Sequence, residues 1–398
     1  MKLLLVFLLC SLRLLSQNWT QLTDFPGLER DDGVAVNLNN KLYFGSGLTV
    51  GWALSKDFYL LDPVTNTWSP IAPLPNGSER QYACGFAGVN SFFVFGGDGV
   101  GGALNSLLKY DPTGNNWTVM AAKPGNGLIG ASSFEFGDKV IIVGGKTLGN
   151  AVTNEVWEYT ISSNTWTQKN NCPFGGRFRS AAAVANGTGY LVFGIDNNNS
   201  YRKEMYTYSP NTDTWGSLPD FPLPKGRAYA ALNNINGTLM LFGGYDSLGV
   251  YHKDVWHYNT AFPGWQQSQD FVSFGRKGGM SAVAGNKFYY TCGVGINTTE
   301  ARLKETWVLD VPVGIKENKN AFAYIVYPNP ADETLYILLE NQVPNQFSLS
   351  LADVWGRELM RANSLDGSLS IAHLAPGIYL LKILSGNTCM HVTRVIKK

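Results

Sequence analysis

The sequence predicts an all-β protein, a six-bladed β-propeller followed by a small Ig-like β-sandwich, and three observations carry that prediction. A tryptophan returns as Trp19, Trp68, Trp117, Trp166, Trp215 and Trp265, at intervals of 49, 49, 49, 49 and 50 residues. Aromatic or aliphatic runs ending in glycine, such as "FVFGG", "IIVGG" and "LMLFGG", recur with the same period. After residue 312 the period stops, and alternating apolar and polar positions are broken by Pro, Gly and Asn. Self-similarity at a period near 50 residues marks a propeller or another repeat array.

Composition narrows the class. The chain has 398 residues, 44% of them hydrophobic and 15% charged, an ordinary globular balance long enough for two or more domains. Abundant glycine and aromatic residues, with little helical periodicity beyond the first twenty residues, point to strands joined by tight turns. The formal net charge is +1 and no basic run lies along the body, which argues against nucleic acid as a partner. Residues 1–16 have a basic start, a short apolar core and Ser16 before Gln17, the pattern of a cleaved secretory signal peptide. Beyond it, Cys84, Cys172, Cys292 and Cys389 stand singly, so they read as buried small hydrophobes rather than as a disulfide framework or a zinc site.

Within one repeat, "QYACGFAG", "NSFFVFGG", "LLKYDP" and "NWTVMA" make four short strands. The first two are joined by connections such as "NLNNK", "ANGTG" and "NINGT", where Asn and Gly accept the positive φ that a tight hairpin requires. Each unit is an antiparallel meander that cannot cover both of its faces alone. Six arranged radially cover one another. The recurring tryptophan on the fourth strand is the large residue suited to the gap between blades, and its truncation is expected to cost about 3–5 kcal/mol. A third recurring position, Tyr59, Leu108, Trp157, Tyr206, Trp256 and Trp307, usually follows an acidic residue. The sixth unit supplies three strands up to residue 311 and lacks the fourth. "NWTQLT" at 18–23 carries Trp19 in the context of Trp117, so the N-terminal strand is expected to close the ring.

The double-glycine strand end, the aromatic third-strand position, the "D-P-x-T-x-x-W" turn and the Arg before the first strand resemble the Kelch repeat over residues 17–311. That resemblance implies a six-bladed propeller. The unit beginning "PGNGLIGAS" departs from it by lacking the Arg, and the fourth and sixth units lack the full double glycine. The tail at 325–398, after a polar linker at 312–324, contains Tyr327-Pro328-Asn329-Pro330, Asp353 with Gly356, Leu374 with Pro376-Gly377-Ile378-Tyr379, and a terminal Lys397-Lys398. By pattern it is a small β-sandwich. These four motifs together resemble the type A C-terminal sorting domain of type IX secretion, which implies passage through the periplasm and outer membrane of a Gram-negative bacterium. The outer-membrane secretion machinery is then a partner, and the product is secreted or held at the cell surface.

Strand parity puts the loops between blades and the varied loops between second and third strands on one face, where function tends to sit. Arg30, Arg80, Arg177, Arg227 and Arg276 enter the innermost strands there, with Glu29, Asp31, Asp32, Glu79 and Asp98 nearby in sequence. They either brace neighbouring loops through carboxylates or form a ring for an acidic or polyhydroxylated ligand, since a guanidinium fork binds carboxylates in a bidentate way. Trp52, Tyr201, Tyr245 and Tyr251 lie in loops of that face, either to stack on sugars or to pack among themselves. The expected function is a glycan- or protein-binding module, monomeric and without cofactor or metal. Only His252 and His257 fall in the propeller body, a set too small for a copper site resembling that of galactose oxidase. The alternative is a carbohydrate-active enzyme resembling sialic-acid mutarotase, for which Glu79 beside Arg80, or Asp31 beside Arg30, supplies the carboxylate and guanidinium pair that proton transfer needs.

Overall fold

Six four-stranded antiparallel sheets carry the repeats in the computed structural model, which describes residues 19–260, 264–311, 323–340, 348–353, 357–362, 368–385 and 388–398. The signal-peptide expectation, most of the linker and Gly356 lie outside the described residues. Two compact units divide the chain, Met1–Pro312 and Val313–Lys398.

In the first blade the strands Val34–Leu38, Lys41–Gly45, Phe58–Asp62 and Thr67–Ile71 pair in sequence order. The hairpin between the first two is turned by Asn39 and Asn40 at φ 53° and 59°, the left-handed pair that a two-residue turn demands. The last blade joins Met280–Ala284, Lys287–Thr291 and Thr306–Asp310 to Trp19–Leu22 from the other end of the repeat region. Trp19 pairs with Leu309 and Gln21 with Trp307 in that closing ladder. The core is six interfaces. One of them meshes Val34, Val36 and Phe58 of blade one with Phe92, Val94 and Tyr110 of blade two.

The structure corrects the expected burial of the repeating tryptophans. Trp19 is buried at 8% exposure, while the other five are half-buried. They lie on outer strands, where solvent reaches one edge of the ring, and three use the indole N–H to grip the preceding blade. Trp68, Trp117 and Trp166 donate to the carbonyls of Thr23, Ala72 and Ala121 at 3.1, 2.8 and 2.8 Å. Two residues before each of the latter two, the side-chain oxygens of Asn115 and Asn164 accept the N–H of the same Ala72 and Ala121. Those asparagines also accept the hydroxyls of Tyr110 and Tyr159, so the turn before the tryptophan is a clamp as well as a turn.

The double glycine has a physical reason. Both residues are left-handed in every blade, but at the first position Ser46, Phe193 and Cys292 tolerate φ of 56°, 70° and 65°. The second is always glycine. Its φ is between 95° and 100°, and a Cβ on Gly47 would come 2.5 Å from the Asp31 carbonyl oxygen. That second N–H donates to the next blade, from Gly47 to the Arg80 carbonyl and, closing the circle, from Gly293 to the Arg30 carbonyl at 2.8 Å.

The C-terminal unit has a three-stranded and a four-stranded antiparallel sheet. Leu335 and Ile337 of one pack with Leu349, Leu351, Leu381 and Val395 of the other, so it is a β-sandwich with one core. Asp353, of the expected Asp and Gly motif, accepts the Arg357 N–H at 2.9 Å.

Candidate functional site

The repeat arginines are buried beneath the loop face, which favours the bracing alternative and takes them out of the ligand-binding ring that was the other. Arg30, Arg80, Arg227 and Arg276 are at most 1% exposed and Arg177 is 6% exposed. In four blades a carboxylate just ahead of the third strand draws the guanidinium down: Asp57 to Arg30, Asp254 to Arg227, Glu305 to Arg276 and Glu204 to Arg177. The pairs with Asp57 and Asp254 are two-pronged, as fork geometry favours. The blade without an arginine uses Lys123, buried over the Trp157 ring and 3.7 Å from Glu155. Blade two has Ser106 where the acid would stand, so Arg80 is held by the carbonyls of Ser78 and Gly96, and burial pulls its pKa down to about 10. These groups brace blades from within.

Two residues beyond the arginine column, where the third blade has Leu128, the chain turns left-handed in all six blades, at Asp32, Tyr82, Gly130, Arg179, Tyr229 and Gly278, with φ between 56° and 64°. Each N–H donates to the carbonyl of its counterpart in the preceding blade. The bonds run Tyr82 to Asp32, Gly130 to Tyr82, Arg179 to Gly130, Tyr229 to Arg179, Gly278 to Tyr229 and Asp32 to Gly278, at 2.6–3.3 Å. The result is a closed ring of six hydrogen bonds around the axis. A bulky residue in this backbone region is a strained outlier that concentrates at functional sites.

The six positions oppose one another by type: Asp32 faces Arg179, Tyr82 faces Tyr229, and Gly130 faces Gly278. The Arg179 guanidinium carbon is 4.3 Å from both tyrosine ring centroids, and an Nη1 N–H donates to the Tyr229 hydroxyl. Above this floor lies a cavity of about 260 Å³ lined by Asp31, Asp32, Trp52, Tyr82, Tyr229 and Lys277, with Leu48, Val294, Glu300, Ala301 and Arg302 completing the wall. Below it, the residues next in sequence, Gly33, Ala83, Ala131, Ser180, Ala230 and Gly279, begin the central channel. Lys277 sends its ammonium over Tyr245 at 4.3 Å and Tyr251 at 5.2 Å. Arg302 donates to Asp31 at 2.6 Å and stacks 4.6 Å from the Trp52 ring.

Electrostatics single out Asp32. Burial, and then the Asp31 carboxylate, hold the Asp32 carboxyl well above the usual value of 3.8, against the opposing pull of Arg179 and Tyr82. Burial followed by the Asp32 charge also raises the Tyr82 phenol, and burial followed by Glu300 raises that of Tyr251. The arrangement offers a carboxyl with raised proton affinity, two cations, Lys277 and Arg302, and aromatic faces in one cup, the donors and stacking surfaces that a polyhydroxylated ligand needs.

Of the residues singled out in the sequence, the structure brings Asp31, Asp32 and Trp52 to the cavity, with Tyr251 beside Lys277. Tyr201 packs half-buried against Tyr245 at 6.3 Å, part of a cluster with Val152, Phe178 and Ile195. Glu79 is outside the cavity lining, because its neighbour Arg80 turns into the blade. Sequence reasoning missed Tyr82, Arg179, Tyr229, Lys277, Glu300 and Arg302. The set two residues after the arginine column reads Asp, Tyr, Gly, Arg, Tyr, Gly, and its irregularity within a regular repeat was the available signal.

Residues 35–244 and 130–314 match the KLHDC2/KLHL20/DRC7 Kelch-repeats domain, together more than half of the chain. The chain belongs to the Kelch-repeat family. The Kelch propeller superposes on the solved structure of YjhT with a TM-score of 0.61 at 18% identity, covering 72% of this chain and 96% of that one, a likeness of fold. Mouse Kelch-like protein 35 is 32% identical over 109 residues, 27% of this chain and 18% of that protein. N-acetylneuraminate epimerase of Vibrio cholerae is 31% identical over 120 residues, 28% of this chain and 30% of the enzyme. The chain thus spans less than a third of the length of these curated relatives. Residues 325–398 match the secretion system C-terminal sorting domain, and the Kelch protein is exported by type IX secretion to the cell surface or the extracellular space.

Proposed function

We propose that the exported Kelch propeller is a binding module for a glycan, taken into the cup on the loop face. The observation that carries this reading is the floor itself, where Arg179 lies against Tyr82 and Tyr229 opposite Asp32. Aromatic faces suit the apolar side of a sugar ring, and the carboxyl, guanidinium and ammonium groups suit its hydroxyls and any acidic substituent. Calorimetric titration of the purified chain with neutral, N-acetylated and uronic acid sugars tests it. Saturable binding that is lost in Arg179→Ala is expected, and no binding to any class overturns it.

A second reading, a carbohydrate-active enzyme of mutarotase type, is favoured by one specific feature: the adjacent Asp31 and Asp32, of which Asp32 is lifted well above its ordinary range. A carboxyl lifted in proton affinity by burial beside a second acid is one form that acid and base roles take. In this reading Asp32, rather than Glu79, exchanges protons with the sugar. NMR of anomer interconversion distinguishes the two, since turnover abolished in Asp32→Asn supports the enzyme and binding without turnover supports the module.

A further inference from the structure

We infer that the cup recognises the end of a glycan chain at least two sugar rings long, with Trp52 as the platform for the second ring. The inference rests on the glycan-binding reading and adds to it the form of the ligand.

Two features define an end-on site. The cup has a closed floor, because Tyr82 and Tyr229 meet across the axis at 6.3 Å between centroids and Arg179 lies against both. The central channel below begins with the next residues, beneath this plug of three side chains that stands in the way of a threading chain. The cup is also small. At about 260 Å³ it lies below the roughly 300–1,000 Å³ of clefts that enclose drug-sized ligands. One sugar ring fits and a run of several does not.

Trp52 then stands at the lip in a way that packing alone does not require. It is 77% exposed, at φ 64°, in a backbone region costly for an aromatic residue. One face of its indole is covered by the Arg302 guanidinium at 4.6 Å, and Arg302 is fixed in turn by Asp31 at 2.6 Å. Asp31 and Arg302 line the cup themselves. The indole is therefore held rigid from behind by residues of the site, with its remaining surface open to solvent where a chain leaving the cup would pass. Asp31 and Arg302 act on that second ring as positioning residues.

The test uses three length series on the full chain: glucose, maltose and maltotriose; N-acetylglucosamine, chitobiose and chitotriose; and galacturonic acid with its dimer and trimer. In the series that binds, the disaccharide should bind about tenfold more tightly than its monosaccharide, and the trisaccharide should add little. Trp52→Ala should collapse the disaccharide to monosaccharide ratio, and Trp52→Phe should restore most of it. α-Cyclodextrin, which has no chain end, should fail to bind where maltotriose binds. Equal affinity along the series, an unchanged ratio in Trp52→Ala, or binding of the cyclic sugar would overturn the inference while leaving the glycan reading intact. Silence in all three series would overturn both.

Discussion

Tyr82 of blade two and Tyr229 of blade five meet across the propeller axis with ring centroids 6.3 Å apart, and Arg179 of blade four lies against both. All three hold left-handed backbone, which costs a non-glycine residue on the order of 1–3 kcal/mol each. The strain persists because the ring of six inter-blade hydrogen bonds determines the backbone at those positions whatever side chain they carry. The cup can therefore vary its side chains without losing the ring that supports them.

Removing a brace should cost most where it leaves a carboxylate behind. Arg227→Met strands the Asp254 carboxylate in a site where Arg227 had been fully buried, an expected loss of about 3–5 kcal/mol. Arg80→Met strands only carbonyls, so it should cost clearly less. Chemical denaturation of both variants checks the order, and equal losses would refute the role assigned to the carboxylates.

Closure of the ring depends on Trp19 more than on its repeats. Trp19 packs within 4.7–5.9 Å of Phe271, Phe242 and Phe288, and Trp19→Ala should cost about 3–5 kcal/mol. Trp117→Ala, at a half-buried site with one hydrogen bond to Ala72, should cost less. Deleting residues 18–23 should lower the melting temperature further than either, and an unchanged melt would count against the closing strand.

Asp32 should make stability depend on pH. Its folded-state pKa is raised above the usual 3.8, so between those two values the folded chain keeps a proton that the unfolded chain has released. More protons on the folded state mean that stability falls as pH rises through that window. Asp32→Asn carries no such proton. Its melting temperature, relative to that of the parent, should climb as pH rises above the ordinary carboxylate value of 3.8, and parallel curves would refute the raised proton affinity of Asp32.

Loss of residues 325–398 should retain the protein in the periplasm with its propeller folded. Immunoblotting of cell fractions, with a thermal melt of the truncated chain, reads both halves of this expectation. Appearance of the truncated protein in the medium at the parental level would contradict it.

Much of the fold was legible because its signals are local and repeated. A turn that needs φ above zero selects Asn or Gly wherever it recurs, as at Asn39 and Asn40, and an outer strand that grips its neighbour selects tryptophan. The missing fourth strand of blade six could likewise be found by counting. The site was far less legible. The sequence left the repeat arginines open between braces and a ligand ring, because their charge is visible in it whereas the carboxylate 27 residues on that buries Arg30 is not marked as its partner. Arg179, two residues after Arg177 and of the same type, is the one that lies against the floor tyrosines Tyr82 and Tyr229.

The number of blades, the turn chemistry, the closing strand and the export domain follow from residues near in the chain or from a regular period, and so are written in the order of amino acids. Which side chains meet at the axis is written nowhere in that order and emerges from folding. Asp32, Tyr82, Arg179 and Tyr229 come from four blades and span nearly two hundred residues of sequence, and the circular closure of the sheets is what brings them within contact of one another.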